Sequence, residues 1–246
     1  MVLLSFLVAE HDYSECESPQ RSPYITIKQA LILKILLTGF KSKDSITNAS
    51  DIVVSSFIHD LPENLKSMSN NIVIEVINDN THTVKQSLEE IVIKNKPSYC
   101  LFIGQAPGYN RITLESIATN YRFIAPPLKT GAPPQGDFIE ETGDAAYMAT
   151  LGNLQEMVEC IKNIGIPASV SNHCGNSLCN QILYHGLHYA QMNEPGMKCG
   201  FLHIPALPEQ ILTQWPQHPF MPLAMSRMAI EIVVNYIYLQ HARNGD

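Results

Sequence analysis

Three short runs restrict the fold more than any other feature of this chain: Leu33–Thr38 (L-K-I-L-L-T), Tyr99–Gly104 (Y-C-L-F-I-G) and Cys199–Ile204 (C-G-F-L-H-I). Tyr99–Gly104 is apolar throughout, and the other two are largely so. A strand built from such a run must be covered on both faces. The segments between them carry helical signals. Asn48 is placed to cap a helix over 49–60 with Ile52, Val53, Phe57 and Ile58 inward. A further strand is expected at Ile72–Ile77, and a helix over 82–95 with Val84, Leu88, Ile91 and Val92 on one face. A helix over 153–165 is stopped by Gly165 and Pro167, and the chain closes on a helix over 223–241. Alternation of this kind predicts an α/β fold, a single domain with a largely parallel twisted sheet covered by helices on both faces. The 246 residues, 45% of them hydrophobic, suit one such core.

Residues 1–32 read as an N-terminal extension and 33–246 as the functional domain. Met1–Ala9 has the look of a signal-peptide core, yet no basic residue precedes it, and residues 2–8 suit an edge strand equally well. Residues 125–144, dense in Pro, Gly and acids, predict a long surface excursion of the kind that often serves function.

The bulk numbers exclude several classes of function. A net charge of −7 without a basic stripe argues against nucleic acid as a partner. No apolar run is long enough to span a bilayer, so no membrane partner is expected. The six cysteines lack C-x-x-C spacing and fit free thiols in a reducing, cytoplasmic compartment. The nine histidines show no metal-ligand spacing, and no metal or other cofactor is expected.

The chemistry concentrates in Ser171–Ala190, S-N-H-C-G-N-S-L-C-N-Q-I-L-Y-H-G-L-H-Y-A. A strand end turns through Gly175, and a helix opens at Asn176 or Ser177, so Cys179 falls in its first turn. There the unpaired amides and the helix dipole favour a thiolate. Cys174 precedes the turn and lacks this setting. A nucleophilic cysteine needs a base and a group to orient that base. His203, at the end of an apolar strand, is the best-placed base. His185 and His188 lie too far along the same helix, and His173 lies across the turn. Glu115 interrupts an apolar, β-favouring run and is the candidate orienting acid. Taken singly, each has a plainer reading: a buried cysteine, a core histidine, a solvent-facing glutamate.

Three separated segments resemble the pyroglutamyl peptidase I family of cysteine peptidases. S-N-H-C-G-N-S-L-C-N-Q-I-L-Y resembles the family's segment around its nucleophile, which falls on Cys179. G-F-L-H-I-P-A-L-P-E-Q resembles the segment whose histidine falls on His203. G-Q-A-P-G-Y-N-R-I-T-L-E-S-I-A-T-N resembles the segment whose glutamate falls on Glu115. L-L-T-G-F at 36–40 is similar to the family's first strand. The resemblance implies a Glu115–Cys179–His203 triad that cleaves an amide after an N-terminal pyroglutamyl group through a thioester. It implies an oxyanion site from amides near Gln105–Gly108 and at the start of the Cys179 helix. Substrate contacts are expected at Phe40, Asn48, Gln105 and Ala106, together with a small-molecule or peptide substrate and a homodimer or homotetramer.

The sequence departs from the family pattern around the pocket. After T-G-F the second aromatic residue and the glycine pair are replaced by K-S-K-D-S-I-T. A basic residue after the glutamate becomes Ser116, G-G-R becomes Pro107–Tyr109, and I-P-D-N becomes I-A-P-P at 124–127. Two alternatives therefore stand beside pyroglutamyl hydrolysis: the same triad turned to a different amide, and a non-catalytic binding paralogue.

Overall fold

The computed structural model describes residues 33–43, 46–124 and 135–244. The N-terminal extension, positions 44 and 45, and most of the Pro-rich excursion lie outside the described residues. Among the described residues the central sheet has six strands in the order β2-β1-β3-β10-β4-β9. They are β1 (Ile35–Phe40), β2 (Ile72–Ile77), β3 (Tyr99–Gln105), β4 (Ile112–Glu115), β9 (Ala168–Ser171) and β10 (Lys198–Ile204). β2, β1, β3 and β10 are mutually parallel, whereas β4 pairs antiparallel with β10 and parallel with β9. Two short ribbons pair β5 (Ile117–Thr119) with β8 (Ala146–Met148) and β6 (Arg122–Ile124) with β7 (Gln135–Asp137).

The helices are α1 (Ala49–His59), α2 (Val84–Asn95), α3 (Leu154–Asn163), α4 (Leu178–Asn193), α5 (Pro208–Thr213) and α6 (Leu223–Asn244). Strand alternation divides the core in two. Ile35, Leu37, Leu101, Ile103, Leu202 and Ile204 point to the face covered by α1, α3 and α6. Leu36, Phe40, Cys100, Phe102, Cys199 and Phe201 point to the face covered by α2 and α4. This period of two places Phe201 and His203 on the α4 side of β10. It also puts Gly104 of β3, the register partner of His203, beneath the start of α4.

The strand expected at Leu33–Thr38 is observed two residues further on, and Ile72–Ile77 falls where periodicity put it. Asn48 caps α1 by accepting from the Ser50 amide (3.0 Å). The buried stripe of α1 is Ser50, Val53, Val54 and Phe57, spaced by three or four residues; Ile52 and Ile58, expected inward, face outward. Two elements carried no clear periodic signal, the 3₁₀ segment Glu63–Asn71 and the short helix α5.

Candidate active site

The parallel strands β1, β3 and β10 all end at one edge of the sheet, where α/β proteins gather ligands and reactive groups. β10 delivers His203 to this edge with 6% of its surface exposed. β4 enters from the opposite direction, with Glu115 directly across from Phe201. Glu115 is therefore a diagonal neighbour of His203 on the same face. The His203 Nδ1 to Glu115 Oε1 distance is 2.8 Å. Glu115 is fully buried, and its Oε2 has no hydrogen-bond partner among the described residues. Keeping a carboxylate there is costly unless a charged partner faces it.

Cys179 stands at the second position of α4, after the N-cap residue Ser177. The first backbone bond of that helix runs from the Gln181 amide to the Ser177 carbonyl (3.1 Å), so the amides of Leu178, Cys179 and Asn180 open the helix without a helical acceptor. Gly175, at φ +79°, takes the left-handed turn that swings the chain from β9 to this helix. Burial disfavours a charged imidazole at His203, but the charge and hydrogen bond of Cys179 and those of Glu115 outweigh it and raise its pKa to about 9. The surroundings of His203 thus favour its charged form at neutral pH. Cys174 is also close to Cys179; burial above all raises its thiol well beyond the usual range, so it stays protonated.

Gly104 makes room for this arrangement. A methyl group there would lie 2.5 Å from the Phe201 ring and 3.0 Å from Cys179 Sγ. Gly104→Ala should lower stability by about 1–3 kcal/mol. It should also depress turnover, read by thermal melting alongside an activity assay; unchanged values for both would show that the sulfur is not seated over this strand.

The residues implied in substrate contact fall in the same region but differ in what they offer. Phe40 ends β1 and is buried, its amide held by Ser50 Oγ (3.0 Å). Gln105 Oε1 accepts from the Ala49 amide (2.5 Å) and from Gln210 Nε2 (3.0 Å), leaving its own Nε2 buried and without a partner among the described residues. Because a backbone donor fixes Oε1, the free group is a donor. The Asn48 side chain is engaged in capping α1. The Ala106 amide donates to the Ile204 carbonyl (2.9 Å) and that of Tyr109 to the Ala106 carbonyl (2.9 Å). Pro107 has no N–H, so within Ala106–Tyr109 only Gly108 keeps an amide outside these bonds.

Several supporting residues escaped the sequence reading. Asn180 accepts from the Thr119 amide and donates to the Thr119 and Tyr121 carbonyls, pinning the segment after Glu115 to the helix of Cys179. Gln210 caps back to the Leu207 amide and donates to the Thr47 carbonyl and to Gln105. Their only advance signal was position, Asn180 directly after Cys179 and Gln210 seven residues after His203. The other histidines have separate settings. His185 lies 3.2 Å from Glu140 and is kept neutral by burial, its pKa near 4, while His188 meets the Tyr147 hydroxyl at 2.9 Å. His173 is exposed. Among the described residues all five cysteines are free, no cluster of three or more His, Cys, Asp or Glu could hold a metal ion, and no helix is long and apolar enough to cross a membrane.

Comparison with known proteins agrees with this geometry. The family model described as pyroglutamyl peptidase matches residues 33–240. The pyrrolidone-carboxylate peptidase of Thermosipho africanus is 35% identical over 188 residues, covering 74% of this chain and 86% of its own. That of Thermoanaerobacter pseudethanolicus is 37% identical over 210 residues, covering 83% and 98%. The structure of the pyrrolidone carboxyl peptidase from Thermococcus litoralis superposes with a TM-score of 0.74 at 27% identity, over 87% of this chain and 97% of that one. The pyroglutamyl peptidase I from Bacillus amyloliquefaciens does so with a TM-score of 0.70 at 30% identity, over 82% and 92%. With a buried Glu–His pair beside a cysteine at a helix N-terminus and a family match across nearly all of the described chain, this protein belongs to the pyroglutamyl peptidase family of cysteine peptidases.

Proposed function

We propose that the protein removes an N-terminal pyroglutamyl group from peptides, with Cys179 as nucleophile, His203 as its base and acid, and Glu115 as the group that orients His203. The observation that carries this reading is the 2.8 Å contact between His203 Nδ1 and a fully buried Glu115 carboxylate, with Cys179 near enough to act on the same imidazole. With Nδ1–H committed to Glu115, the other ring nitrogen is left for the sulfur. The thiolate attacks the amide carbonyl, and the oxyanion is met by amides at the start of α4, with Gly108 as a further donor. The imidazolium gives its proton to the leaving amine, and the peptide departs with a free N-terminus. Water then attacks the thioester, losing a proton to His203, and pyroglutamate is released as the thiol re-forms.

The unpartnered Gln105 Nε2 suits the lactam carbonyl, and Phe40 offers an apolar edge for the ring. Asn48 contributes by fixing the start of α1, and Ala106 by fixing the turn above β10. Gln105→Leu removes that donor and also strips Ala49 of its acceptor; KM for a pyroglutamyl fluorogenic amide should rise about 10-fold or more. An unaltered KM would remove Gln105 from the pocket.

The decisive test is hydrolysis of that fluorogenic amide by purified protein. Silence from a folded protein whose Cys179 still alkylates rapidly would favour a second reading, the same machinery on a different acyl group. One observation favours that alternative: directly after Phe40, the family's second aromatic residue and glycine pair are replaced by K-S-K-D-S-I-T. The finer expectations are a homodimer or homotetramer, which light scattering after size exclusion would settle, and a cytoplasmic setting, which the free thiols favour. Residues 1–32 are proposed to lie outside the catalytic domain.

A further inference from the structure

The imidazole of His203 is flanked by two aromatic rings. Phe201, two residues back on β10, has its centroid 4.7 Å away at an interplanar angle of 60°. The second is Tyr109, 5.6 Å away at 65°. Phe201 belongs to the buried core, but Tyr109 is half-buried in the connection between β3 and β4. That connection is anchored to the strand end that carries the histidine: the Ala106 amide donates to the Ile204 carbonyl, and the Tyr109 amide closes a turn onto Ala106. The ring is therefore held against the imidazole by backbone bonds.

We propose that Tyr109 is a positioning residue, whose ring packs against His203 from the β3–β4 connection, restricts its rotation and stabilises its charged form. The inference rests on the triad reading above. A cation over the face of an aromatic ring, within about 6 Å of its centroid, is attracted through the ring quadrupole, and the attraction grows as water is excluded. The titratable and charged groups around the imidazole come from each element packed there. Cys179 on α4 and Glu115 on β4 act on it directly. Cys174 from the turn before α4 and Arg111 from the β3–β4 connection act on the Tyr109 phenol. Burial first, and then the charge of Glu115, raise the phenol above its usual range, which keeps it neutral. This chain thus has a neutral ring beside its acid–base histidine, and Ser116 rather than a cation directly after Glu115. Neither residue adds a positive charge that would compete with the imidazolium.

The test reads the thiolate–imidazolium pair without using a substrate. Alkylation of Cys179 by iodoacetamide is followed by peptide mass spectrometry from pH 5 to 10 in the wild type, Tyr109→Phe, Tyr109→Ala and Tyr109→Arg. Tyr109→Ala should slow the reaction at neutral pH about fivefold, in line with a desolvated cation–π contact. Tyr109→Arg should slow it at least as much, and Tyr109→Phe should match the wild type. With any amide the enzyme accepts, Tyr109→Ala should lower kcat and move its basic limb to lower pH. A wild-type alkylation profile in Tyr109→Ala would overturn the proposal, as would a Tyr109→Phe protein as slow as Tyr109→Ala, since the effect would then belong to the hydroxyl. Because alkylation needs no pyroglutamyl substrate, failure of the substrate reading leaves this result interpretable.

Discussion

Cys179→Ala is expected to lower hydrolysis of a pyroglutamyl amide by about 10⁴-fold or more while leaving the melting temperature within a few degrees of wild type. The size follows from the role assigned to the sulfur: without it no thioester forms, and only binding and oxyanion contacts remain. The small effect on stability follows from its place. Cys179 is only partly buried, in the first turn of α4, and the helix is secured by Leu178, Ile182, Leu183, Tyr184 and Leu187 further in. Steady-state kinetics with a melting curve on the same sample checks both halves. Residual activity above about one part in a hundred would displace Cys179 as the nucleophile.

Glu115→Gln should reduce kcat by about 10³- to 10⁴-fold, because an amide can hold the imidazole in the wrong tautomer and no longer stabilises its charge. Its signature is a change in pH dependence. In the wild type, interactions with Cys179 and Glu115 overcome burial and raise His203 to about 9, so its proton is retained through neutral pH and lost above that value. The basic limb of kcat should then lie near pH 9, and in Glu115→Gln it should move to lower pH. Stability follows the same sign. The folded pKa lies above the ordinary histidine value of 6.5, so the stabilising contribution is complete below about pH 6.5 and lost as pH rises through about 9. Melting temperatures measured across that window should fall less steeply in Glu115→Gln than in wild type. Identical slopes and an unmoved limb would mean that Glu115 does not set the charge on His203.

The legible parts of this site were those written in local sequence. The turn at Gly175 and the place of Cys179 in the first turn of α4 follow from signals acting over a few residues, although Ser177 makes no side-chain cap. The end of β10 was legible because a run apolar at nearly every position can only be an interior strand, and its last residues must reach the sheet edge. Glu115 is the instructive contrast. In sequence it reads as a polar interruption with solvent as the simplest destination, yet it has no exposed surface at all. Its burial depends on β4 entering the sheet antiparallel between β10 and β9, with a register that sets it diagonal to His203.

The same distinction separates the nucleophile from its surroundings. Hydrophobic periodicity, capping residues and the unpaired amides of a helix start act within one element, and they determined on their own an α/β chain with a cysteine in the first turn of a helix. The motif resemblance added partners for that cysteine. Only the tertiary structure decided that Gln210 reaches across 163 residues to the Thr47 carbonyl, that Asn180 clamps the segment after Glu115, and that Tyr109 caps the imidazole. Those contacts depend on which strands are neighbours and in which register. That choice is made by burial of the whole apolar surface at once, and no single stretch of the sequence contains it.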